Sequence, residues 1–379
     1  MTSIYAAQNP LSSGLCRIRA DNQKIKRIIE KLMMHNSISR LNQNNFDLLR
    51  LLFAIIVCLV HAQTLSGFTQ LTWVTQALSS SIAVKSFFVV SGFLIFMSYE
   101  RSSSFKSYAI KRIRRIYPAY FVVVMLCALG LVTISAKPAT YFSLIWLKYL
   151  LANLSFLNFL HPTLPGVFES NSLQAVNGAL WTLKIEVAFY LCVPILVLLC
   201  RRFSVLSVLI IAYILSITYS LMMQKIAHNN NSAMLLELSR QLPAQLCYFI
   251  SGAFFYYKLA FFEKNVRYFL SFAISVLIIN SSYPLPIFEP FALATVITFL
   301  GLFLYLGNFG KYGDFSYGFY ILHFPIIQII LHVGWFKDSP WYFLASITVL
   351  TAISAISMWR IVEKRFLLRN SHYITATTT

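Results

Sequence analysis

The sequence predicts an all-α polytopic membrane protein of about ten transmembrane helices, with the N- and C-termini cytoplasmic. Three observations predict it. The 379 residues are 58% hydrophobic and only 11% charged, whereas a soluble domain carries about 25% charged residues to cover its surface. Apolar runs of bilayer length recur along the chain, and the mean hydropathy is +0.69. Lys and Arg gather in short segments between alternate runs, the pattern of loops held on the cytoplasmic side. That pattern also accounts for the net charge of +19. The lipid bilayer is the expected partner of these charges, and no nucleic acid is expected.

Residues 1–45 form a basic cytoplasmic tail. Within it Gln23–His35, "QKIKRIIEKLMMH", places Ile25, Ile28, Ile29, Leu32 and Met33 at helical spacing among cations. It reads as an amphipathic helix on the inner leaflet, as a mobile basic tail, or as residues upstream of the true start. Apolar runs follow near 46–64, 82–99, 117–136, 181–200, 203–223, 241–257, 268–282, 290–306, 316–334 and 341–359. The uncharged loop 65–81 is expected outside and the strongly basic loop 100–116 inside.

An eleventh run, 142–160, is decided by charge. If it crossed, Arg201, Arg202 and the basic C-terminal stretch "RIVEKRFLLR" would fall outside; if it does not, all fall inside. Residues 137–180 are therefore expected as one external segment containing a surface or re-entrant helix. The membrane domain is placed at 46–366, with 367–379 as a cytoplasmic tail. The six cysteines show no CxxC and no Cys/His metal spacing, so neither disulfides nor a metal site is expected.

The first run keeps polar groups that lipid disfavours. Arg50 and His61 are eleven residues apart, about 1100° of helix and within about 20° of three full turns. They share one face, about 16 Å apart along the axis. Asp47 lies within reach of Arg50 at i−3.

Five stretches in order resemble the acyltransferase-3 family of integral-membrane acyltransferases, which O-acylate surface sugars. They are "NNFDLLRLLFAIIVCLVH" (Asn44–His61), "AVKSFFVVSGFLI" (Ala83–Ile95), "KRIRRIYPAY" (Lys111–Tyr120), "NGALWTLKIEVAFYL" (Asn177–Leu191) and "FSYGFYILHFPI" (Phe315–Ile326). The resemblance covers roughly residues 45–366 and implies a stand-alone member. It implies transfer of an acyl group, most simply acetyl, from cytosolic acyl-CoA to a hydroxyl of a surface or lipid-linked glycan. Acyl-CoA would be the donor substrate and no cofactor would be bound. The expected location is a bacterial cytoplasmic membrane. The alternative is a transporter or flippase for a glycolipid or small solute.

On this basis His61 is the candidate general base, and Glu186, near the outer side, is placed to orient an imidazole or to hold an acceptor hydroxyl. Arg50, Arg112, Arg115 and His323 are candidate donor contacts, since Arg binds phosphate through paired hydrogen bonds. Each has a plain structural alternative: snorkelling for Arg50, a topological anchor for the Lys111–Arg115 cluster, packing for His323. Thr182, Glu186 and Tyr190 recur at i, i+4 and i+8 behind Trp181; Ser316, Tyr320 and His323 share a second face. These, with Asp47, are candidate acceptor or support residues. Lys85 is a possible ion partner of Glu186. Pro325 is placed to kink the late helix, and Ser91-Gly92 reads as small-residue helix packing.

Overall fold

A computed structural model describes residues 40–368 except 42. The segment 23–35, Cys16 and nearly all of the C-terminal tail lie outside the described residues. The regular elements are all helices, with no strand among the described residues. The principal helices are α1 Phe46–Ser66, α2 Ser80–Glu100, α3 Phe105–Gly130, α4 Leu144–Leu154, α5 Trp181–Arg202, α6 Val205–Asn229, α7 Leu242–Tyr257, α8 Leu259–Ser282, α9 Glu289–Leu302, α10 Ser316–Val333 and α11 Pro340–Met358. A π turn, Trp359–Glu363, continues α11.

Ten of these helices fall on the ten apolar runs. Seven segments of the described chain are long and apolar enough to cross a membrane. The protein is thus a polytopic helical membrane protein. The remaining three of the ten are 16-residue α7, 14-residue α9 and α8, which is kinked at Asn265. The Asn265 amide there donates to the Phe261 carbonyl at 2.9 Å. Helix α9 stops at Leu302, short of the apolar run that extends to 306. The run 142–160 yields only α4, whose eleven residues reach about 16 Å, half of a hydrocarbon core about 30 Å thick. It lies beside α3 with Leu144, Ile145 and Leu151 exposed.

The largest boundary difference from the sequence expectation is at the start of α3. Helix α3 starts at Phe105, twelve residues ahead of the expected span, so Lys111, Arg112, Arg114 and Arg115 stand on a helix rather than in a loop. Charge made 105–116 read as a loop, yet Lys and Arg are good helix formers. Ser104 caps the new start by accepting from the Ser107 N–H at 3.2 Å.

Small residues set the tightest crossing. A Cβ on Gly92 of α2 would collide with the Phe249 carbonyl of α7, and one on Gly252 with the Val89 carbonyl. The two backbones therefore touch, and Phe189 of α5 stacks on Phe249 at 4.2 Å. Lipid supplies no hydrophobic drive between helices, so this close approach and its van der Waals contacts hold α2, α5 and α7 together.

Candidate active site

Helices α1 and α10 run side by side in the same direction and carry two polar rungs, named inner and outer for the topology expected from charge placement. At the inner rung Arg50 Nη1 donates to Asp314 Oδ2 at 2.6 Å. Asp314 stands just before α10, where Ser316 donates to it from its backbone N–H (3.1 Å) and its hydroxyl (2.5 Å). Arg115 of α3 also pairs with Asp314 and reaches Glu363 of the π turn at 3.2 Å. Asp47 is a looser neighbour of Arg50, at 3.8 Å. Burial pushes the Asp314 carboxyl up, but the guanidiniums of Arg115 and Arg50 and the Ser316 donors outweigh it and hold the group well below the usual carboxylate range.

At the outer rung His61 Nδ1 lies 2.9 Å from His323 Nε2. The rings are nearly parallel, 17° apart with centroids at 5.2 Å. His323 is fully buried and His61 half-buried. Phe324 packs edge-on to His61 and Tyr320 edge-on to His323. Tyr320 is fixed in turn by its hydroxyl, 2.8 Å from Thr182 Oγ1.

Two adjacent cavities share four lining residues beside this pair. A chamber of about 540 Å³ is lined by six cations, Arg50, Arg101, Lys111, Arg112, Arg114 and Arg115, and by two carboxylates, Asp47 and Glu186. Arg50, Ser91, Glu186 and Tyr317 are shared with a recess of about 40 Å³ walled by Phe87, Phe88, Thr182 and Tyr320. Tyr320 therefore stands between the recess and His323. In the chamber Arg112 Nη2 donates to Ser98 Oγ at 3.1 Å, and its guanidinium lies over the Tyr190 ring.

Glu186 does not meet His61. Its Oε1 accepts from the Tyr190 hydroxyl at 2.6 Å, on the chamber side. The cause is the segment ahead of α5, which runs down along α10 instead of staying at its outer end. Buried Gln328 donates to the carbonyls of Leu173 and Ala175 and accepts from Asn171, and Asn177 donates to the Ile321 carbonyl at 2.8 Å. Helix α5 thus begins beside the middle of α10, and Trp181, half-buried, marks that start. Glu186, five residues on, lands at the inner rung. Lys85, offered as its partner, pairs with Glu289 at 2.7 Å.

The same contacts answer a backbone need. Pro325 has no N–H for the Ile321 carbonyl one turn back, and Asn177 supplies the missing donor. The Tyr190 carbonyl, freed by Pro194, accepts from the Tyr108 hydroxyl at 3.1 Å.

Sequence reasoning missed Asp314 and Glu363. A signal existed: only 12 acidic residues face 31 Lys and Arg, so a carboxylate beside an apolar helix has cations to hold.

The acyltransferase-3 family, described as "Acyltransferase domain", matches residues 43–360. The chain belongs to that family. The acyltransferase is similar to "Nodulation protein 10" of Rhizobium leguminosarum bv. viciae, 27% identical over 350 residues that cover 85% of this chain and 93% of the relative. It is also similar to "O-acetyl transferase" of Shigella phage Sf6, 29% identical over 356 residues that cover 86% and 97%. No solved structure matches it. The acyltransferase is an integral-membrane O-acyltransferase.

Proposed function

We propose that this acyltransferase takes an acyl group, by preference acetyl, from acyl-CoA on the cytoplasmic side and passes it to a hydroxyl of a surface or lipid-linked glycan. The observation that carries this reading is a cationic chamber set beside a small recess. The chamber, lined by six cations, shares Arg50, Ser91, Glu186 and Tyr317 with the recess, whose wall includes the tyrosine packed on His323. Phosphate groups suit the cationic chamber. A short acyl group suits the recess, and the relative named "O-acetyl transferase" agrees with acetyl. His61 is the general base for the acceptor hydroxyl. Glu186 lines the neck that the thioester passes. The membrane is proposed to be the bacterial cytoplasmic one.

The donor contacts divide by their carboxylate partners. Arg115 ties Asp314 to Glu363 and serves as an architectural brace. Arg112, whose partners among the described residues are a serine hydroxyl and an aromatic face, is offered to phosphate. Arg112→Ala should raise the acyl-CoA KM by roughly 10-fold or more, from a lost contact of about 1.5–3 kcal/mol, with little change in kcat. Steady-state kinetics with varied donor check this, and an unchanged donor KM would leave Arg112 as a topological anchor.

The topology proposed with this function has ten spans, both termini inside and 137–180 outside. Glu169 is an exposed residue of that segment, paired with Lys137 at 2.7 Å. A cysteine at position 169 should react with a membrane-impermeant maleimide in intact cells, against a background lacking the native cysteines. Labelling only after permeabilisation would reverse the assignment.

The function itself is tested by mass spectrometry of surface glycans from cells with and without the gene. Loss of an acyl mass increment, restored by complementation, is expected. Identical glycan masses in the two strains would count against a glycan acceptor.

A further inference from the structure

Two neutral imidazoles in contact share a single proton between their facing nitrogens. Here those nitrogens are His61 Nδ1 and His323 Nε2, 2.9 Å apart. Which ring donates decides what His61 can do. If His323 donates, His61 keeps its own proton on Nε2 and has no lone pair for an acceptor hydroxyl. If His61 donates, its Nε2 is bare and basic.

The surroundings of His323 select the second arrangement. Its ring is fully buried, and the carbonyls of Phe319 and Tyr320 on its own helix face it. Its Nδ1 has no hydrogen-bond partner of good geometry. A lone pair turned toward carbonyl oxygens is repelled by them, whereas an N–H in that place is attracted even along a bent approach. The His323 proton therefore belongs on Nδ1, which leaves Nε2 as the acceptor. His61 is the ring with solvent-accessible surface. The edge contacts from Phe324 and Tyr320 fix both ring planes, so neither ring turns freely to exchange its nitrogens.

We propose that His323 is a positioning residue for acyl transfer: it accepts the Nδ1–H of His61 and so keeps Nε2 of His61 available as the base. This rests on the acyl-transfer reading above and replaces the donor-contact role expected for His323. The acceptor hydroxyl gives its proton to His61 Nε2 as its oxygen bonds to the thioester carbonyl carbon. The C–S bond then breaks, and the departing thiolate takes the proton from Nε2. Ester and free thiol leave, and His61 is restored. While His61 is an imidazolium its Nδ1–H still points at His323 Nε2, and that charge-assisted hydrogen bond stabilises it. His323 keeps its own proton throughout.

Two measurements test this on the full chain in detergent or nanodiscs. Nitrogen-15 NMR of histidine-labelled protein reads the tautomer directly, with His61→Gln used to assign the signal. Wild type should show His61 protonated at Nδ1, and His323→Leu should release it to a mixture of tautomers. A His61 protonated at Nε2 in wild type overturns the proposal. In acyl-transfer kinetics His323→Leu should lower kcat roughly 10²-fold, the low end of what a general base supplies, with donor KM unchanged. His323→Gln places an amide oxygen where Nε2 stood and should recover most of that loss. A raised donor KM with kcat intact, or a Gln variant no better than Leu, also overturns it. If wild type transfers no acyl group, the functional reading fails, and the tautomer spectrum alone still decides whether His323 holds the proton on His61 Nδ1.

Discussion

His61→Gln is expected to lower turnover by about 10² to 10⁴-fold, with the variant inserting and purifying as wild type does. Glutamine can keep a hydrogen bond to His323, but it cannot take a proton from a hydroxyl. His61→Ala should be nearly as inactive. The comparison is fair because the fold does not depend on this one contact. Interhelical hydrogen bonds in membrane bundles average about 0.6 kcal/mol, and α1 is also anchored by Arg50 at the inner rung. A structural histidine predicts the opposite pattern, with Gln active and Ala poorly expressed. Turnover per folded molecule, measured beside the size-exclusion profile of each variant, separates the two.

Asp314→Asn is expected to cost about 3–5 kcal/mol of stability, because it leaves the Arg50 and Arg115 charges without their shared carboxylate in a buried site. Asp314 is 1% exposed and accepts from both arginines and from Ser316. It therefore joins α1, α3 and the start of α10, with Glu363 of the π turn linked through Arg115. Its pKa is depressed in the folded state. Its contribution is thus full above the ordinary carboxylate value of about 4 and is lost as the pH falls below that. Thermal unfolding in detergent should show a lower Tm for Asp314→Asn at pH 7, and a smaller gap from wild type at acid pH. Equal Tm values at pH 7 would remove Asp314 from the framework.

Much of this architecture was legible in the sequence. Apolar length located ten helices, and scarcity of charge marked Arg50 and His61 as exceptional, because lipid makes each polar group costly. Helical spacing put Ser316, Tyr320 and His323 on one face, and the structure uses each of them in a polar contact. Partners were another matter. His61 meets a residue 262 positions away, and periodicity along one helix holds no information about which face of another it touches. Depth was hidden for a related reason. Hydropathy treats α5 as a span starting at the outer boundary, whereas Asn177 and Gln328 draw its start toward the middle of α10. That displacement moved Glu186 from the histidine to the chamber. Asp314 and Glu363, the carboxylates that pair with Arg115, were hidden because they lie outside the stretch of sequence that made it conspicuous.

The most direct measurement is single-turnover transfer by the purified acyltransferase in liposomes, with radiolabelled acetyl-CoA and an extract of the host's lipid-linked glycans. Label should appear on the glycan as an alkali-labile ester, with one free thiol released per ester formed, for wild type and not for His61→Gln. Thiol release without glycan ester, or equal ester formation by the two proteins, would show that acyl transfer to the glycan does not run through this histidine.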